Sequence, residues 1–136
     1  MGQIFLEVVT PGGLKLSQDV DTVVAPGTEG EFGVLPGHIN FLTGIVPGEL
    51  RFSSKGRVEY MAVNSGFAEV SGDRVSIIVD SAENASEIDV KRAQAALERA
   101  KKRLEQVRHD DDIDSLRAES ALKRAISRLK VVKKGL

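Results

Sequence analysis

Arg74-Val75-Ser76-Ile77-Ile78-Val79-Asp80-Ser81 and, a few residues on, Ile88-Asp89-Val90-Lys91-Arg92-Ala93-Gln94-Ala95-Ala96-Leu97 follow two different periods. The first is a short β-branched run and reads as a strand. The second returns its apolar residues every three or four positions, as one face of an α-helix does. The change falls near Ser81 and divides the chain into residues 1–84 and residues 85–136.

Upstream of the break, Val8-Val9, Val23-Val24 and Val58-Glu59-Tyr60-Met61-Ala62-Val63 are further short β-branched runs. Turn signals separate them at Pro11-Gly12-Gly13, Pro26-Gly27, Pro36-Gly37, Pro47-Gly48, Lys55-Gly56 and Gly72-Asp73. Strands at roughly 8–12-residue spacing with such punctuation predict an all-β sandwich or barrel. Downstream, residues 86–132 contain neither Pro nor Gly and are rich in strong helix formers. Ala93, Leu97, Ala100, Leu104 and Val107 form one stripe; Ala118, Leu122, Ala125, Leu129 and Val132 form another with the same steps. Residues 88–104 and 113–129 agree at 10 of 17 positions, so the two helices are an internal repeat. His109-Asp110-Asp111-Asp112 marks the loop between them, and the stripes predict an antiparallel hairpin. Ser86 with Asp89, and Asp111 with Asp114, have capping-box spacing with Asp in place of Glu. The predicted fold is α+β: an N-terminal flattened all-β sandwich, then a two-helix hairpin. Two helices cannot bury both stripes against each other, so the hairpin rests on the sandwich or on another protein.

With 136 residues the chain is long enough for a core without staples, and with no cysteine it has neither disulfides nor thiolate metal sites. No apolar run nears the roughly 20 residues of a membrane span, and Leu6 stands where a myristoylation signal needs Ser or Thr. A soluble chain is expected, meeting a membrane only through a partner. Residues 1–82 hold 5 basic and 10 acidic side chains, whereas residues 83–136 hold 14 and 10. An acidic front and a basic back point to two modules with different partners. With no Trp and one Tyr, stacking platforms for single-stranded nucleic acid are not expected.

Arg92, Arg99 and Arg103 share one face of the first helix, and Arg117, Arg124 and Arg128 repeat the spacing on the second. Brought together, guanidinium forks match phosphate oxygens. The same stripes also read as solvated faces with local pairs such as Asp89–Arg92 and Asp114–Arg117. There is no P-loop, and Gly27, Gly30 and Gly33 do not make a dinucleotide fingerprint. A nucleotide would therefore be held by helix side chains, which suits a sensor more than an enzyme. His38 and His109 are the two histidines, and Ser65-Gly66 lacks a nucleophile-elbow context. Asp110, Asp112 and Asp114 begin an EF-hand spacing, which fails at Ser115 and Ala121.

Gly30-Glu31-Phe32-Gly33-Val34-Leu35-Pro36-Gly37-His38, followed by Phe41-Leu42-Thr43, resembles the signature of the epsilon-subunit family of F-type ATP synthases. Val8-Val9-Thr10-Pro11, Ala62-Val63-Asn64-Ser65-Gly66-Phe67-Ala68-Glu69-Val70 and Val75-Ser76-Ile77-Ile78-Val79 follow in family order, so the resemblance spans the chain. It implies a non-catalytic central-stalk (rotor) subunit of a proton-translocating ATP synthase, with a sandwich that binds the gamma subunit and touches the c-subunit ring. Glu31, His38, Ile39, Asn40, Phe41 and Leu42 become ring-contact residues, although Pro36-Gly37-His38 also reads as a plain turn. The hairpin is implied to switch between a folded state and an extended one that reaches the alpha/beta catalytic head and inhibits ATP hydrolysis. Ile88-Asp89-Val90-Lys91-Arg92-Ala93 matches the motif with which some bacterial members hold ATP as a regulatory ligand. On that basis the nucleotide-binding set is Glu83, Ile88, Asp89, Arg92, Ala93, Arg124 and Arg128, with no cofactor required. The motif's echo at Ile113-Asp114-Ser115-Leu116-Arg117-Ala118 shows that part of it is helix-capping grammar. The implied location is peripheral, on the cytoplasmic face of a bacterial inner membrane, with a thylakoid as the second choice. A ligand-free rotor adaptor and a stand-alone ATP-sensing module remain the rival readings.

Overall fold

The structure, a computed structural model, describes residues 3–38, 40–106 and 112–135. Ten strands form one hydrogen-bonded sheet. They are β1 (Ile4–Thr10), β2 (Gly13–Val20), β3 (Thr22–Gly27), β4 (Gly30–Val34), β5 (Phe41–Ile45), β6 (Gly48–Ser54), β7 (Arg57–Val63), β8 (Gly66–Ser71), β9 (Arg74–Val79) and β10 (Ala82–Asn84). The order is β10-β7-β6-β3-β5-β8-β9-β1-β2, with β4 paired to β3. Every pairing is antiparallel except β1 with β9. The sheet folds over so that β2 returns to touch β6 and a core is enclosed.

Period-two patterning builds that core. Ile4, Leu6 and Val8 of β1 are buried while Phe5, Glu7 and Val9 turn outward. Val75, Ile77 and Val79 of β9 and Ala68 and Val70 of β8 do the same. The sandwich core draws all its buried residues from positions between Ile4 and Ala82, and none from the helices.

β1 and β2 slip register by one residue, so that Val8 faces Leu16 but Val9 faces Leu14. Lys15 is the extra residue of this bulge, and a bulge re-aims the side chain it carries. The Lys15 ammonium meets the Glu87 carboxylate at 2.7 Å. Beyond the slip, Leu14, Val9, Ile78 and Phe67 stand side by side on the outer face of β2, β1, β9 and β8. Leu14, Phe67 and Ile78 are 61%, 49% and 41% exposed. The next row, Ser17, Glu7, Ser76 and Glu69, is polar.

After β10 comes one 3₁₀ turn, Ala85–Glu87, then α1 (Val90–Gln106) and α2 (Asp112–Gly135). The expected box between Ser86 and Asp89 is not the one formed. Glu87 instead accepts from the Asn84 N–H at 3.2 Å, and Asp89 caps α1 by accepting from the Arg92 N–H at 3.1 Å. The reason is that the chain leaves the sheet one short turn before the helix, so two caps are needed where the sequence suggested one. Asp111, Val107, Arg108, His109 and Asp110 lie outside the described residues.

The seam between the helices is made of alanines seven residues apart: Ala93 and Ala100 on α1, Ala118 and Ala125 on α2, all buried. α2 is the inner helix and packs on β6, β7, β10 and the 3₁₀ turn, while α1 packs chiefly on α2. A second apolar cluster joins the hairpin to the sheet: Ala62 from β7, Ile88, Ala93, and Val131 from α2. It is separate from the sandwich core.

Candidate functional site

The groove along the α1–α2 face begins at the sheet. Glu83 lies on the edge strand β10, opposite Ala62 of β7, which aims its carboxylate toward α2. Arg128 of α2 donates through Nε to Glu83 Oε1 at 2.7 Å, and both side chains are about one-third exposed, at 32% and 27%. One turn earlier on α2, Arg124 flanks the same corner, near Asn64 and Ser81.

Two adjoining hollows follow. The first, about 380 Å³, has carboxylates from Glu83, Glu87 and Asp89, guanidiniums from Arg92, Arg99 and Arg128, and a floor of Ala93 and Ala96. The second, about 220 Å³, has Arg99 and Arg103 of α1 and Arg124 and Arg128 of α2 over Ala96, Ala100 and Ala121, with no acid in its lining. Alanines on both helices keep the floor low, so the long arginines stand as walls around it.

The electrostatics differ between the two. In the first, Asp89 is committed to the α1 cap, so the expected Asp89–Arg92 ion pair is absent among the described residues. The Lys15 ammonium beside Glu87 holds its carboxyl below the usual carboxylate range, helped by the Asn84 N–H. In the second, Arg99, Arg103 and Arg124 have no acidic partner among the described residues, and Arg128 alone is neutralised. The first hollow offers donors and acceptors together; the second offers positive charge.

Of the sequence-derived nucleotide set, Glu83, Asp89, Arg92, Ala93 and Arg128 line one hollow, and Arg124 lines its neighbour. Ile88 lines neither and is buried in the apolar cluster with Ala62 and Val131. Arg117 lines neither. Glu87, Ala96, Arg99 and Arg103 were not in that set. The shared-face spacing of Arg92, Arg99 and Arg103 was a usable signal for two of them. Glu87 was invisible, because its partner Lys15 lies 72 residues away.

The second candidate surface is the loop after β4. Leu35–His38 is a tight turn closed by the His38 N–H on the Leu35 carbonyl at 3.1 Å, with Gly37 at φ +84°, a conformation that favours glycine. Two side chains tie the loop to the β8–β9 turn: Asp73 accepts from the Gly37 N–H at 3.2 Å and Asn40 from the Gly72 N–H at 2.9 Å. The His38 ring lies 5.0 Å from the Phe41 ring, which meets Phe32 edge-on at 5.2 Å. Leu35 and Leu42 are 61% and 68% exposed at this end. Glu31, expected among the ring-contact residues, is clamped by both terminal nitrogens of Arg51, at 3.1 and 3.3 Å. Ile39 lies outside the described residues.

Residues 3–85 match the family described as ATP synthase, Delta/Epsilon chain, beta-sandwich domain, and residues 86–133 match its long alpha-helix domain. The ATP synthase epsilon chain of Nitratidesulfovibrio vulgaris (strain DP4) is 49% identical over 105 residues, covering 77% of this chain and 78% of that one. That of Syntrophobacter fumaroxidans is 52% identical over 106 residues, covering 78% and 79%. Among solved structures, a chain of the Euglena gracilis mitochondrial ATP synthase (OSCP, F1 and c-ring) superposes with a TM-score of 0.80 at 26% identity, over 96% of this chain and 81% of that one. A sandwich followed by a docked hairpin, matched by the two family models over residues 3–133 and by these relatives over more than three quarters of the chain, means that the chain belongs to the ATP synthase delta/epsilon family.

Proposed function

We propose that this chain is a central-stalk subunit that docks through its sandwich on the gamma subunit and the c-ring, and that its hairpin regulates ATP hydrolysis. The observation that carries the docking is the outward-facing apolar row of exposed Leu14, Ile78 and Phe67 with half-buried Val9, beside a polar row. An apolar centre with a polar rim is the anatomy of a protein interface. The pinned loop bearing His38, Phe41 and Leu42 suits ring contact, because a fixed loop costs little ordering on binding. Phe67→Asp sets a charge at the β8 end of the row, at a position that is 49% exposed, and leaves the core untouched. It abolishes co-elution with the gamma subunit in gel filtration; unchanged co-elution removes the row from the interface.

The hairpin's regulatory role rests on how it is held. Among the described residues, its contact with the sandwich includes a small apolar cluster, the Lys134 ammonium over the Tyr60 ring, and polar links from Lys15 to Glu87, Arg128 to Glu83, Lys134 to Glu49 and Ser127 to the Gly48 carbonyl. Such an interface is compatible with two states a few kcal/mol apart. ATP in the groove contacts residues of both helices and of β10 at once, and therefore favours the folded state by its differential affinity. Calorimetric titration with Mg-ATP, with ADP as control, gives saturable binding that favours ATP. Arg92→Ala and Arg124→Ala abolish the ATP-induced rise in melting temperature and leave the sandwich folded. Undiminished rises in both variants would eliminate the site and leave a ligand-free rotor adaptor.

A further inference from the structure

Arg124 and Arg128 occupy one flank of α2, along the groove. On the opposite flank, where α2 meets the sandwich, a third hollow of about 330 Å³ shares no residue with the two hollows of the groove. Its floor is Pro26 of β3 with Val46, Pro47 and Gly48, where β5 turns into β6. That floor is set before any ligand arrives. The Val46 N–H donates to the Pro26 carbonyl at 3.0 Å, and the Ser127 hydroxyl holds the Gly48 carbonyl from the helix side. Two prolines fix their own backbone angles. Gly48 lies so close to Pro26 that a Cβ there would come within 2.7 Å of the proline Cβ.

Lys123, Ile126 and Lys130 of α2 make the wall. Steps of three and four residues put them on one helix face. The internal repeat shows that this face is particular to α2. Where α2 has Lys123, Ile126, Ser127 and Lys130, the corresponding positions of α1 hold Glu98, Lys101, Lys102 and Glu105. Ile126 is 36% exposed and belongs to neither buried cluster, so core packing does not account for it. Glu31 and Glu49 also line the hollow, but Arg51 clamps the first and the Lys134 ammonium stands 3.0 Å from the second. Lys123 and Lys130 have no acidic partner among the described residues. The hollow therefore combines an apolar bed with an uncompensated positive rim.

We propose that this hollow binds a small amphipathic carboxylate, an unbranched acid of medium chain length, with its chain on Pro26, Pro47 and Ile126 and its head at the Lys123 or Lys130 ammonium. The volume is that of a small-molecule site, and an apolar bed with a few charged groups at its edge is the usual lining of one. A lysine ammonium is a compact point charge on a flexible stem, so it follows a single carboxylate head. Half of the site comes from the sandwich and half from α2, so it exists only while the hairpin is docked. The acid therefore favours the docked state by its differential affinity. It does so from the flank of α2 that the groove leaves free, so it does not compete with a nucleotide. The proposal does not rest on the nucleotide reading.

The test titrates the full chain with octanoate, below its micelle concentration, by calorimetry. Propionate supplies the head without the chain, octanol the chain without the charge, and octylammonium the opposite charge. Octanoate is expected to bind saturably, and each of the other three at least about tenfold more weakly. Ile126→Gln and the double variant Lys123→Gln/Lys130→Gln are each expected to weaken octanoate about tenfold. Phe67→Asp, in the exposed row of β8, is expected to leave it unchanged. With octanoate present the α2 amides exchange more slowly, and Mg-ATP does not displace it. No saturable octanoate binding, or octanol binding as tightly as octanoate, would overturn the proposal. So would octanoate binding that neither α2 variant alters, or that Phe67→Asp abolishes, since the acid would then sit elsewhere. Octanoate binding with no ATP binding would overturn the nucleotide reading and keep this site.

Discussion

Ser127 is 3% exposed between α2 and the sheet, and its hydroxyl donates to the Gly48 carbonyl at 2.6 Å. That bond fixes the rotation and the height of α2 on β6, since a buried carbonyl left without its donor is costly. Ser127→Ala is expected to weaken docking of α2 by about 1–2 kcal/mol without touching the sandwich core. Amide exchange separates the two: α2 amides lose protection while β1, β8 and β9 keep theirs. Equal protection in all elements would mean that water replaces the hydroxyl at no cost. At this scale the sequence was only partly legible. Arg92, Glu83 and Asp89 were readable as polar groups near one another. A capping role for Asp89 was legible, but its acceptance from the Arg92 N–H in place of a box with Ser86, and the commitment of Arg128 to Glu83, were not, because each depends on which atom of a neighbour lies within reach.

The bulge in β2 and the 3₁₀ turn act together at the scale of elements. The bulge sends Lys15 to Glu87, so the edge of the sandwich grips the entry to the hairpin. The Glu87 carboxyl is held below its ordinary range, which means that the contact adds stability above that range and loses it as the pH falls through the depressed value. The contribution is small, because both groups meet solvent. Lys15→Met therefore lowers the melting temperature slightly near neutral pH, and the gap from the unaltered chain closes as the pH is taken below the usual carboxylate range. A gap that widens in acid would contradict this. The alanine seam makes a second element-scale prediction. Ala125→Leu overpacks a position that is 1% exposed and costs about 1–3 kcal/mol, seen as loss of helical signal before loss of the sheet. The stripes were plain in the sequence. That the small residues face the other helix while Leu97 and Leu104 stay half-buried was a matter of which face met which.

Over the whole molecule, two apolar clusters that share no residue divide the chain into a self-sufficient sandwich and a docked hairpin. Deleting residues 88–136 should therefore leave the sandwich folded and gamma binding intact, and should raise the ATPase activity of the assembled complex. Loss of gamma binding on that deletion would move the docking surface to the hairpin. The sequence by itself determined the class of each half and the repeat within the hairpin, whereas β10, Ala82–Asn84, carries the sheet past the change of period near Ser81. These follow from periodicity, and a period of 2 or 3.6 is a local property of the chain. Only the tertiary structure decided that α2 and not α1 lies on the sheet, that Ile88 belongs to the packing, and that the arginines fall into two hollows of different charge. The two helices carry nearly the same residues at the same steps, so nothing local distinguishes the inner helix from the outer one. Contacts such as Ser127 with Gly48 and Arg128 with Glu83, between residues 79 and 45 positions apart, made that choice.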